Sequence, residues 1–205
     1  MNYKLVIVES PAKCNKIEKY LGKNYKCIAS FGHLQELTSL KNIDFNNNFN
    51  LSFTPIQSKI QQIEKIKNLI QKSEEVILAT DDDREGEGIA WHICKLFNLS
   101  LENTKRIIFH EVTENALNNA VQNPTTLNIN LVNAQQCRQV LDLLVGYIIS
   151  PELWKHISRT KKGLSAGRCQ TPALKLIYEN QNDIDNSPGK KIYNTVGDFT
   201  DKNFP

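Results

Sequence analysis

No two of the five cysteines, Cys14, Cys27, Cys94, Cys137 and Cys169, stand in a C-x-x-C pair. Odd in number and widely spaced, they argue against a disulfide framework and a zinc site, and read as reduced thiols. No apolar run approaches the length that spans a bilayer. The N-terminus, MNYKLVIVES, is too short and turns acidic too soon for a signal peptide. These absences predict a soluble, intracellular protein without a membrane partner. An excess of either charge is also lacking. The balance of 25 basic and 22 acidic residues leaves +3, too little for bulk electrostatics alone to mark a nucleic-acid binder. Arginine is scarce, limited to Arg84, Arg106, Arg138, Arg159 and Arg168. Each deserves following, because Lys does not replace its planar bidentate donor without loss. The matching abundance of Lys and Asn suggests an AT-rich genome.

At 205 residues the chain is long for one compact domain and predicts one domain plus part of another. Residues 3–8 read as a buried strand, after which Ser10-Pro11 gives an N-cap and a proline at the first helical position. The helical stripe Ile17, Tyr20, Leu21 runs to a C-cap at Gly22. A second strand is expected at 27–30 and a variable loop at 41–50. A helix should occupy 57–72, followed by the apolar strand Val76 to Thr80 and a helix from Gly88. Residues 106–109 read as a short strand and Thr113 as a helix start. Strands alternating with helices imply an α/β domain on a mainly parallel sheet. Beyond Pro124 the pattern turns helical. One long helix is expected from Leu131 to Ile148, with Ala134, Cys137, Leu141, Leu144 and Ile148 on its apolar face, then helical segments at 151–157 and 168–182. Residues 191–199 look like the start of a strand.

Asp81-Asp82-Asp83-Arg84-Glu85-Gly86-Glu87 follows the apolar strand directly, at the carboxyl end where parallel sheets place their sites. In extended backbone, alternate side chains share a face, which predicts convergence of Asp81, Asp83 and Glu85. Hard oxygen ligands without His or Cys favour Mg²⁺; an acidic solvated turn is the plainer alternative. Glu9, at the end of the first strand, is placed to join them as proton carrier, as ligand, or as a helix-start acid. Lys13 reads as a phosphate contact or a surface lysine. His92, His110 and His156 are scattered and take no metal role.

Val6-Ile7-Val8-Glu9-Ser10-Pro11-Ala12-Lys13, Gly32-His33 and Ala79 to Glu87 with Ala90-Trp91-His92 resemble the Toprim domain of type IA DNA topoisomerases, nearer the bacterial topoisomerase I branch than topoisomerase III. The likeness continues in order through Phe109 to Thr113, Asn133 to Arg138, Val145-Gly146-Tyr147 and Leu164 to Gln170, spanning about residues 3 to 180. Any one motif is suggestive; the ordered set is specific. The fold it implies is a Toprim domain at 1–124, part of a helical single-strand DNA-binding domain at 125–187 and the start of a further domain at 188–205.

The resemblance implies Mg²⁺-dependent cleavage and religation of one DNA strand through a 5′-phosphotyrosine, relaxing negatively supercoiled DNA without ATP. Glu9, Asp81, Asp83 and Glu85 would form the metal set, and Glu9, Lys13, Asp83 and Glu85 the catalytic one. DNA contacts would come from His33, Arg138, Gln139, Asp142, Tyr147, Trp154 and the run Ser165, Ala166, Gly167, Arg168, Cys169 and Gln170. Taken singly, Arg138 reads equally as half of a helical salt bridge with Asp142, and Tyr147 and Trp154 as core residues. Ser165 is a candidate N-cap, and the segment 159–168 concentrates four basic residues before a helix. Leu143 stands where the family commonly has Arg, so one polar contact is missing. The family's nucleophilic tyrosine is followed two residues later by Arg; Tyr3, Tyr20, Tyr25, Tyr147, Tyr178 and Tyr193 lack that context. The chain is therefore expected to be an inactive N-terminal part of a monomeric enzyme without zinc here. It would work in the bacterial cytoplasm and nucleoid, or in a nucleus, organelle or viral factory. Two rival readings are another Toprim enzyme, a primase or nuclease, and a standalone module binding Mg²⁺ and single-stranded DNA.

Overall fold

The structure is a computed structural model that describes residues 3–157 and 164–197. The elements are β1 (Lys4–Val8), α1 (Cys14–Leu21), β2 (Tyr25–Ala29), β3 (Gln35–Glu36), β4 (Ile43–Asp44), β5 (Asn50–Leu51), β6 (Thr54–Pro55), α2 (Ile60–Ile70), β7 (Glu75–Ala79), α3 (Arg84–Leu96), β8 (Lys105–Arg106), α4 (Glu114–Gln122), α5 (Ile129–His156) and α6 (Gln170–Asp185). Single turns of 3-10 helix at Pro11–Lys13 and Gln57–Lys59 lead into α1 and α2.

The apolar runs of β1 and β7 demand burial on both faces, and the sheet meets that demand. Its order is β2-β1-β7-β8, all parallel. Period-two alternation sends Leu5, Ile7 and Leu78 to one core with Ile63 and Ile66 of α2 and Ile89 and Ile93 of α3. Val6, Val8, Ile77 and Ala79 face a second core with Ile17 of α1 and Leu117 of α4. Helices thus cover both faces of a parallel sheet, the α/β class expected. The side chain of Thr113 caps α4 by accepting from the Ala116 amide, also as expected.

Several local expectations need correction. The loop at 41–50 is partly ordered by the β4–β5 hairpin. The strand expected over 106–109 is only Lys105–Arg106, since it pairs with β7 over two residues. Residues 191–197 form no strand, and 198–205 lie outside the described residues. Helix α5 runs unbroken through Pro151, where separate segments were expected. A missing N–H removes one bond, and the adjoining turns carry the helix on. Its buried side is also not the expected one. Cys137, Leu141 and Ile148 are exposed, whereas Val132, Gln135 and Val140 are buried, because α5 packs that side on α3. Leu and Ile occur all round this helix, so periodicity alone does not choose its face. No helix among the described residues is long and apolar enough to cross a membrane.

Candidate active site and nucleic-acid interface

Val8 of β1 lies opposite Ala79 of β7, so the residues leaving both carboxyl ends meet. From β1 the chain goes outward to β2, and from β7 it goes the other way to β8. The crevice between them is the topological switch point, where open α/β sheets bind ligands. Glu9 leaves one strand and Asp81 follows the other. Burial holds the Glu9 carboxyl above its ordinary value, the charges of Asp81 and Asp83 push it further, and His33 and Lys13 pull it back. These five groups therefore share one electrostatic neighbourhood. The Lys13 ammonium contacts the Asp81 carboxylate directly.

Helix α3 begins inside the acidic segment, four residues before Gly88. Asp83 is its N-cap, its Oδ1 accepting from the Gly86 amide at 2.7 Å. A Cβ on Gly86 would sit 2.0 Å from the Asp81 carbonyl oxygen, so only glycine permits this turn. Extended backbone with alternating side chains is therefore the wrong picture for Asp81, Asp83 and Glu85. Asp81 is paired with Lys13, Asp83 caps a helix, and Glu85 projects from its first turn. Among the described residues no three His, Cys, Asp or Glu side chains converge closely enough to hold a metal as they stand. The donor chemistry nevertheless suits a hard cation: carboxylate oxygens only, mutually repelling at Glu9, in a solvent-reachable crevice.

Glu85 meets three side chains, one from the turn after β2 and two from α5. His33 Nε2 lies 3.5 Å from its Oε2, Gln135 Nε2 donates to the same oxygen at 3.2 Å, and Arg138 Nη1 lies 3.7 Å from Oε1. His33 is aimed there by a turn in which Phe31 (φ 59°) and Gly32 (φ 90°) are left-handed, with the Phe31 amide donating to the Glu9 carbonyl at 2.9 Å. His92 is wholly buried beside His33, as a core histidine.

Sequence reasoning missed Arg106. It is wholly buried, with Nε donating to Glu87 Oε1 at 2.8 Å, Nη1 to the Thr80 carbonyl at 2.9 Å and Nη2 to the Asp81 carbonyl at 2.8 Å. Glu87 Oε2 accepts the Asn128 amide at 3.3 Å, next to the start of α5. A guanidinium thus clamps the backbone that carries Asp81. The available signal was a scarce Arg at the head of an apolar run, on the strand next to the one that the acidic loop follows.

The DNA-contact candidates form a second network on α5. Arg138 Nε lies 3.7 Å from Asp142 Oδ2, and Asp142 Oδ1 accepts Arg168 Nε at 2.8 Å. Arg138 Nη2 also donates to Cys169 Sγ at 3.7 Å. The salt-bridge and phosphate-ligand readings of Arg138 are therefore compatible. Ser165 is not an N-cap. Helix α6 starts later, at Gln170, and Ser165 Oγ accepts from the Gln170 side chain at 2.9 Å. The Ala166 amide donates to Ser150 Oγ at 3.0 Å, and the Gly167 amide to Thr171 Oγ1 at 3.1 Å. Trp154 Nε1 donates to the Leu164 carbonyl at 2.6 Å, pinning the same segment to α5. Neither aromatic is a core residue: Tyr147 is 52% exposed with its hydroxyl donating to the Thr38 carbonyl at 3.3 Å, and Trp154 is 39% exposed. A cleft of about 440 Å³, lined by His33, Gln35, Gln139, Asp142 and Leu143, lies between Asp142 of this network and His33, the neighbour of Glu85. The basic positions Arg159, Lys161 and Lys162 lie outside the described residues.

Comparison with known proteins bears on both networks. Residues 4–112 match the Toprim domain family, and residues 126–204 match the DNA topoisomerase family. The structure is similar to full-length topoisomerase I from Thermotoga maritima at 40% identity and a TM-score of 0.76, over 89% of this chain and 31% of that one. A Toprim domain alone also fits a primase or nuclease, but the second match follows the helical part that those readings leave unexplained. With both parts matched in order, the chain belongs to the type IA DNA topoisomerases.

Proposed function

We propose that this chain supplies the phosphate-handling half of an ATP-independent, Mg²⁺-dependent enzyme that relaxes negatively supercoiled DNA by cutting and resealing one strand. The carrying observation is the junction at Glu85, where the acidic crevice meets Arg138 and, through Asp142, Arg168. A hard cation would be held by Asp81 and Asp83, with Glu85 and Glu9 beside them. Once bound, it would neutralise charge on phosphate oxygens. Lys13 is shared between Asp81 and the phosphate path, and turns to the phosphate to stabilise its developing charge. Glu9 handles the proton of the leaving 3′ oxygen. His33, Arg138, Arg168 and the segment 165–170 orient the single strand, while Gln139, Tyr147 and Trp154 border its path. The domain division is proposed at 124, in keeping with matches that end at 112 and resume at 126. The working protein is taken to be a monomer acting wherever its DNA is housed.

The attacking tyrosine is expected from outside this chain. Tyr3 donates its hydroxyl to the Leu69 carbonyl, Tyr20 and Tyr25 pack on the α1 side of the sheet, and Tyr147 donates to Thr38. Plasmid relaxation tests this. The purified 205-residue chain should leave supercoiled DNA unchanged with Mg²⁺; relaxation would overturn the assignment. The alternative of a standalone binding module predicts the same inactivity but requires a complete natural protein of this length.

A further inference from the structure

Gln135 is a polar side chain in an apolar place. It is 1% exposed, on the face of α5 that packs against α3 between the buried Val132 and Val140. A buried amide costs free energy unless its hydrogen-bonding groups are used. Here only one is used: Nε2 donates to Glu85 Oε2 at 3.2 Å, and Oε1 has no partner among the described residues. Its amide lies against Gly88, where a Cβ would stand 2.9 Å from Gln135 Cδ. If packing were its task, Leu or Met would fill the space without the orphaned oxygen. The bond to Glu85 is what the amide contributes.

One helical turn along α5, Arg138 reaches the other oxygen of the same carboxylate, Nη1 to Oε1 at 3.7 Å. Two hands therefore hold Glu85 from one helix: a buried neutral amide, and a charge that is about one-third exposed and also shared with Asp142. The charged hand is the one a phosphate will compete for. We propose that Gln135 is a positioning residue that keeps the Glu85 carboxylate in place when Arg138 is drawn to a DNA phosphate. Occupancy of the strand groove and integrity of the acidic crevice are joined through this amide. The inference rests on the reading of the crevice as a cation site.

Gln135→Met keeps the volume and removes the donor, while Gln135→Glu keeps the shape and reverses the interaction with Glu85. Thermal unfolding should show Gln135→Met at least as stable as the wild type, since it loses an unsatisfied acceptor. Mn²⁺ binding to the purified chain is then measured by electron paramagnetic resonance, with and without a short single-stranded oligonucleotide. In the wild type the oligonucleotide should leave Mn²⁺ affinity unchanged or raise it. In Gln135→Met the free chain should bind Mn²⁺ nearly as well as wild type, and the oligonucleotide complex about tenfold more weakly. Gln135→Glu should not restore the wild-type pattern. A merely structural role would lower stability and both affinities together, which overturns the inference, as does a Gln135→Met complex that binds Mn²⁺ like wild type. Wild-type chain that binds no Mn²⁺ would overturn the cation-site reading itself, and the inference with it.

Discussion

Arg106 shows how much of the site depends on a side chain wholly buried behind it. Its guanidinium joins β8 to the carbonyls of Thr80 and Asp81 and to Glu87 of α3. Arg106→Ala would strand a buried carboxylate, and should cost about 3–5 kcal/mol in urea unfolding. A loss under about 1 kcal/mol would contradict the clamp. Gly86 has a different constraint, because a Cβ there runs into the Asp81 backbone at 2.0 Å. In an open helical turn Gly→Ala stabilises by about 1 kcal/mol. Gly86→Ala should instead lower the unfolding midpoint and weaken Mn²⁺ binding, and a raised midpoint would show that the turn has room. At this scale the sequence was partly legible. The identities of Glu9, Asp81 and Asp83 follow from their place after strands, but their geometry does not. Asp83 had a second task as a helix cap, and Asp81 a partner in Lys13 far away along the chain. The scarcity of Arg singled out Arg106, but not its partners, because a buried ion pair leaves no periodic trace.

The residue that caps helix α3 is also one of the proposed cation ligands. Asp83 caps it, and Asn caps as well as Asp. Asp83→Asn should therefore leave the thermal midpoint unchanged or higher, by relieving repulsion with Glu9, while weakening Mn²⁺ binding. Asp83→Ala should lose about 1 kcal/mol of stability as well. Equal Mn²⁺ affinity in Asp83→Asn and wild type would remove this residue from the proposed cation site. Strands β1 and β7 were readable because short runs buried on both faces admit few other structures. Helix α5 existed as expected, yet its face was misjudged. Apolar residues surround it, and the docking side is set by packing against α3, where Val132 joins Ile89 and Ile93, a contact between distant residues.

For the molecule as a whole, the two networks lie on separate parts of the chain and meet along the packing of α3 on α5. Exposed apolar side chains on α6, among them Leu174, Ile177 and Ile184, contrast with the closed cores around the sheet. Acid should loosen this assembly through His92. Burial, and secondarily the neighbouring His33, lower its pKa from 6.5 to about 3. The folded value lies below the unfolded one, so the unfolded chain takes up the proton first. Stability should therefore fall as pH drops from 6.5 towards about 3, by at most ~1.4 kcal/mol per pH unit from this group. His92→Gln should flatten that slope; an unchanged slope would assign the acid sensitivity to other groups.

In the proposed function, α5 and the segment after it present a phosphate grip to a single strand beside the acidic crevice. The most direct test is oligonucleotide binding by the purified chain over a range of salt, compared between wild type, Arg138→Ala and Arg168→Ala. Single-stranded DNA should bind more tightly than duplex, and each variant should reduce the logarithmic salt slope by about 0.7. Salt slopes unchanged in both variants, or duplex bound as tightly as the single strand, would rule out this grip.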